Sequence, residues 1–81
     1  MTEPEIFDGL TAILRQVFDD PGIVATPDLS ARDVAEWDSF NHINIVVAAE
    51  MRFGVSFKSS ELEELRNVGD FAALIQAKTL P

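Results

Sequence analysis

Apolar side chains in the first turns of this chain recur at three- and four-residue spacing, and that period constrains the fold more than any other feature. Ile6, Leu10, Ile13, Leu14 and Val17 form one stripe, which Phe7 and Phe18 widen. The pattern predicts an amphipathic helix to about Phe18, which needs further helices to cover its apolar side. With 81 residues and no cysteine, the chain has length for one modest core and no covalent staple. Stability must come from helix packing, and little chain is left to wall a catalytic cleft. An all-α, single-domain molecule spanning residues 1–81 is the expectation.

Punctuation divides the rest. Thr2 or Glu3 opens the first helix, Pro4 sits where a missing N–H costs nothing, and Glu3, Glu5 and Asp8 lie toward the positive end of the dipole. Gly9 weakens this helix unless a neighbouring element approaches closely there. Asp19-Asp20-Pro21-Gly22 stops it, and Pro27 opposes resumption, so the chain to Asp38 reads as a loop of some twenty residues. Loops of that length usually have work to do or pack as a unit. Ile23, Val24, Leu29, Val34 and Trp37 are there to tie it down, with Ser30 capping a single turn through Asp33. An ordered loop is expected.

A second helix follows, with Phe40, Ile43, Val46, Val47 and Phe53 on one side, while Ile45, Ala48, Ala49 and Met51 make the remainder unusually apolar. Gly54 supplies a left-handed cap, and Val55 and Phe57 form an extended link. Ser59 or Ser60 caps a short helix through Leu65. Asn67-Val68-Gly69-Asp70 has the form of a capping box for a last helix carrying Phe71, Leu74 and Ile75, with Lys78 near its end.

Fourteen acidic against six basic residues give a formal charge of −8. Such a surface repels phosphate backbones, which disfavours nucleic-acid binding, and it attracts proteins with basic patches. It also serves simply to keep a small domain in solution. The amino terminus, Met1-Thr2-Glu3-Pro4-Glu5, has no positive start or apolar core of signal type and reads as mature cytoplasmic sequence. The longest unbroken apolar run, Ile45 to Ala49, is far too short to span a bilayer. One histidine and no cysteine leave no metal site, and the acidic spacing does not fit a calcium loop.

Trp37-Asp38-Ser39-Phe40 stands where the long loop enters the second helix. Asp38 can cap the helix itself, which leaves the Ser39 hydroxyl outward. Free N–H groups and the dipole at a helix start suit a phosphodiester. Nothing nearby activates the serine: the only histidine, His42, lies one turn further along the same face with no acidic orienter. The hydroxyl is a substrate rather than a catalyst, and no catalytic residue is expected. His42 is otherwise an exposed polar residue, and Trp37 is an anchor for the loop.

The order of helix, long loop, Asp38-Ser39 step, helix, short helix and helix resembles the acyl carrier protein family over essentially the whole chain. The resemblance implies a four-helix bundle that is not an enzyme. Ser39 would carry 4′-phosphopantetheine, transferred from coenzyme A by a separate magnesium-dependent phosphopantetheinyl transferase. The arm's thiol would then hold acyl groups as thioesters and present them to acyl-loading and acyl-processing enzymes with basic docking patches. Asp38, Phe40, His42, Glu50 and Met51 are the candidate docking residues, and a monomer is expected.

Three departures from the family pattern stand out. Phe40 replaces the usual leucine after the serine, Asn41 and Asn44 replace typically acidic positions, and Glu36-Trp37 differs from the Gly-Gly pair of peptidyl carriers. The run from Trp37 to Ile43, with Phe53-Gly54-Val55, looks more like stand-alone carriers of specialised pathways. Ile43, Val46, Val47, Leu62, Leu65 and Leu74 either line a space for an acyl chain or are simply core. An unmodified acidic helical adaptor that uses Ser39 only as a cap remains the alternative, as does a peptidyl or aminoacyl carrier.

Overall fold

The computed structural model describes residues 1–79. Four helices, α1 (Glu3–Phe18), α2 (Ser39–Phe53), the short α3 (Ser59–Glu63) and α4 (Val68–Thr79), are joined by loops, with one 3₁₀ turn at Ala31–Asp33. The described residues contain no strand, so the all-α expectation holds.

α1 begins as its sequence dictates. The Glu5 N–H donates to Thr2 Oγ1 at 3.3 Å, and the Thr2 N–H donates to Glu5 Oε1 at 2.9 Å, a complete capping box. Asp19 ends the helix in the left-handed region, at φ 51°. Ile6, Leu10, Ile13 and Leu14 are buried, and α1 packs against both α2 and α4.

Gly9 marks the crossing of α1 with α2. A Cβ built there would lie 2.7 Å from Cζ of Phe53 and 2.9 Å from Nε of Arg52, so only glycine admits this approach. That close contact offsets the propensity cost of a glycine inside a helix.

The inner side of α2 takes only part of the set that the sequence places on one side. Ile45, Val46, Ala49 and Phe53 are buried, whereas Phe40, Ile43 and Val47 point outward together with Met51. Both sets have helical spacing, so periodicity could not choose between them. The crossing at Gly9 selects the stripe that ends in Phe53 and turns the other to water. In α4 the buried set is Val68, Phe71, Ala72 and Ile75, and Leu74 sits at its half-exposed edge.

The long loop is ordered by hydrogen bonds as well as by its apolar residues. Nε of Arg15 donates to the Ile23 carbonyl at 2.8 Å, and the Ala25 N–H donates to Thr11 Oγ1 at 2.9 Å. Further along, the Val68 and Gly69 N–H groups donate to the carbonyls of Leu29 (2.8 Å) and Pro27 (2.9 Å). Two of the N–H groups that a helix start leaves unpaired are thereby satisfied by the loop. Ser30 does not cap with its side chain; instead the Asp33 carboxylate accepts from the Ser30 N–H at 2.9 Å.

Neither Ser59 nor Ser60 caps α3. The Lys58 N–H donates to Glu61 Oε1 at 2.8 Å, because a glutamate at the third helical position reaches back over the turn. Glu61 also pairs with Lys78 of α4 at 3.0 Å, and Lys78 lies 5.9 Å from the Phe57 ring centroid. At the head of α4, Asn67 Oδ1 accepts from the Asp70 N–H at 2.8 Å, as a cap should. The Asp70 carboxylate passes over Asn67 and binds the N–H and Nε of Arg66.

Gly9→Ala is expected to lower stability by about 1–2 kcal/mol in urea denaturation, since overpacking against Phe53 outweighs the helix-propensity gain. A second expectation concerns acid. The Lys58 N–H and then Lys78 hold the Glu61 carboxyl below its ordinary 4.5, and the Arg66 side chain and backbone hold Asp70 below its ordinary 3.8. Depressed carboxylates stabilise the fold fully above their ordinary values and lose that contribution as pH falls through the lowered ones. The double variant Glu61→Gln, Asp70→Asn should therefore lose less stability than wild type when acidified from above 4.5 to below 3.8.

Candidate functional site at the start of the second helix

Ser39 is the first residue of α2, and its neighbours leave it free. Asp38 is extended, with φ −102° and ψ −177°, and its Oδ1 accepts from the Asn41 N–H at 2.8 Å. The Asp38 carbonyl then accepts the His42 N–H at 2.9 Å. Asp38 thus performs the capping, and the Ser39 hydroxyl is exposed with no hydrogen-bond partner among the described residues. The N–H groups of Ser39 and Phe40 precede the first intrahelical acceptors, so they remain available to an anion.

The chain leading into this serine is held from three directions. The Trp37 N–H donates to the Val34 carbonyl at 3.0 Å, and Asn41 Nδ2 donates to the Glu36 carbonyl at 2.8 Å. The Trp37 ring packs against Phe18 of α1, with centroids 5.6 Å apart. Its indole Nε1–H donates to Nδ1 of His42 at 3.2 Å. Trp37 is the loop anchor that the sequence suggests.

Sequence alone does not reveal the roles of His42 and Asn41 in this anchoring. An i to i+5 pair of tryptophan and histidine was the available signal, but which ring atom meets which is set by the loop's path. His42 is half-buried, and its Nδ1 is occupied by the indole, so it does not act as a base toward Ser39. No group of three or more metal-ligating side chains occurs among the described residues.

The remaining candidates fall on two sides. Phe40, Ile43, Val47 and Met51 form an outward stripe, with exposures of 71, 60, 47 and 81%. Full burial of such side chains is worth roughly 1.5–3 kcal/mol each, so this stripe forgoes several kcal/mol until something covers it. Glu50 faces another way: it is half-buried, and Oε2 accepts from the Phe57 N–H at 2.9 Å, holding the link after α2. Behind Trp37 lies a cavity of about 80 Å³ among Ile45, Leu65, Val68 and Phe71, with His42 and Arg66 also on its wall. Of the six residues considered for an acyl space, only Leu65 lines it.

An exposed serine, its hydroxyl unpaired among the described residues, thus heads α2 on a four-helix scaffold. The family model described as a phosphopantetheine attachment site matches residues 8–75. An acyl carrier protein of Thermobifida fusca is 36% identical over 93% of this chain and 95% of its own length. A meromycolate extension acyl carrier protein of Mycolicibacterium smegmatis is 36% identical over 93% of this chain and 76% of its own. The solution structure of a holo acyl carrier protein from Geobacter metallireducens superposes with a TM-score of 0.85 and 46% identity, covering 90% of this chain and 84% of that one. The chain therefore belongs to the acyl carrier protein family, whose members bear 4′-phosphopantetheine and work with partner enzymes of biosynthesis.

Asp38→Ala is expected to cost about 1 kcal/mol in thermal unfolding, the usual loss for a removed helix cap, whereas Asp38→Asn should cost a fraction of that.

Proposed function

We propose that Ser39 carries the phosphopantetheine arm and that the chain shuttles acyl intermediates of fatty-acid or polyketide type as thioesters. The observation that carries this reading is the division of labour at the helix start: Asp38 caps, and the Ser39 hydroxyl stays exposed and unpaired. In the loading step, the Ser39 Oγ attacks the pantetheine-side phosphorus of coenzyme A. The bond to the other phosphate breaks, and adenosine 3′,5′-bisphosphate leaves. The serine proton goes to a base of the transferase, since this chain offers none there. The free N–H groups of Ser39 and Phe40 and the α2 dipole then favour the new phosphodiester. With no cysteine in the chain, the arm supplies the thiol.

In this reading residues 1–81 act as one monomeric carrier domain in the cytoplasm. The charge of −8 draws partners with basic patches, the transferase first among them. The stripe of Phe40, Ile43, Val47 and Met51, which starts beside Ser39, provides the contact surface, with Asp38 at its head. Asn41 and Asn44 place no charge within it, so salt should slow encounter more than it weakens the formed complex. No helix of the described residues is long and apolar enough to cross a membrane.

Incubation of the purified chain with coenzyme A, magnesium and a broad-specificity phosphopantetheinyl transferase should add the mass of one phosphopantetheine. Ser39→Ala should gain none. An equal gain in Ser39→Ala would sink the assignment, and no gain in the folded wild-type chain would favour the unmodified adaptor.

A further inference from the structure

The pairing of Trp37 with His42 does more than fix a ring. Trp37 is the only tryptophan and His42 the only histidine in the chain, and their hydrogen bond joins the loop that ends at Ser39 to the first turns of α2. An indole nitrogen can only donate, so the contact at 3.2 Å requires an unprotonated Nδ1, with the imidazole proton on Nε2. Both rings also line the cavity of about 80 Å³, and Trp37 with Ala31 forms its wall on the loop side.

We propose that the Trp37–His42 hydrogen bond is a proton-sensitive latch, which holds the Trp37 ring over this cavity when the imidazole is neutral and frees that ring when the imidazole is charged. Protonation at Nδ1 would set two donors against each other, and neither ring has another acceptor among the described residues. Surrounding charges decide where an imidazolium would go. Across the cavity, Arg66 is the only other charged residue on its wall; its side chain is mostly exposed and its Nε is paired with Asp70 at 3.0 Å, so it opposes a second positive charge only weakly. On the loop beside Trp37, Glu36 and Asp38 carry negative charge and both are exposed, with Asp38 Oδ1 accepting from the Asn41 N–H. α1 contributes Phe18 and α4 contributes Phe71, neither of them charged. The charged ring therefore moves toward the loop carboxylates and water, which removes the indole's partner and opens the cavity wall. Imidazole in general changes charge between about pH 5 and 8, which sets the range over which the latch is tested. It is independent of what Ser39 carries, so its test uses the unmodified chain.

Emission of Trp37 is followed from about pH 8 to pH 5, with far-UV circular dichroism recorded on the same samples. In wild type the emission maximum should shift to the red and acrylamide quenching should rise, while helical signal is unchanged. His42→Gln keeps an acceptor for the indole that does not titrate, and there the shift should vanish. A wild-type maximum that stays fixed, the same shift in His42→Gln, or a shift accompanied by loss of helix would each overturn the latch. Should His42→Gln not fold, proton–nitrogen spectra of wild type decide. The Trp37 indole N–H resonance should move with the midpoint of the His42 ring protons, and an indole resonance indifferent to that titration overturns the proposal.

Discussion

The Phe53 ring rests on Gly9 with no room for one methyl group between α1 and α2, and the rest of the molecule is arranged around that contact. Cores are packed too densely to tolerate a helix rotated by one residue. Seating Phe53 there brings Ile45 and Ala49 into the same core as Leu10, Ile13 and Leu14, along with Phe71 and Ile75 from α4. The same seating turns Phe40, Ile43, Val47 and Met51 outward in line with Ser39. A packing constraint at one end of α2 thus determines the surface shown at its other end.

A long loop must then deliver Asp38 to the start of that helix in a fixed pose. Fixing each backbone residue costs roughly 1–2 kcal/mol of entropy, which a few half-buried apolar side chains do not offset alone. The structure adds hydrogen bonds from other elements to the loop: Arg15 and Thr11 of α1 hold its first half, and the start of α4 holds Pro27 and Leu29. Gly69 takes part because a Cβ there would meet the Pro27 carbonyl at 2.7 Å. The N–H groups of Val68 and Gly69 and the carbonyls of Leu29 and Pro27 thus satisfy one another.

The site that results has its polar side chains occupied. In the proposed reading the Ser39 hydroxyl is consumed in the phosphodiester, so the chain itself needs no base beside it. Asp38, Asn41 and His42 are all spent on structure, as cap, loop tie and acceptor for the indole. Among the family's typically acidic positions, Asn41 is not merely a lost charge. Its amide donates to the Glu36 carbonyl, a bond that a carboxylate cannot make.

Much of this was legible in the sequence because it depends on near neighbours. The opening of α1 near Thr2, the stop at Asp19, the cap at Gly54 and the choice of Asp38 over Ser39 as N-cap are all governed by residues within a few positions. Gly9 could be marked as a place of close approach, and Trp37 as an anchor, from residue type alone. The sequence by itself therefore determined the number and order of helices and the exposed serine at the head of the second. Tertiary structure alone decided which of two equally periodic stripes of α2 is buried, that Glu50 and His42 bind Phe57 and Trp37, and how the loop is pinned. Periodicity is a property of one helix, whereas burial and long-range hydrogen bonding depend on where the other helices lie.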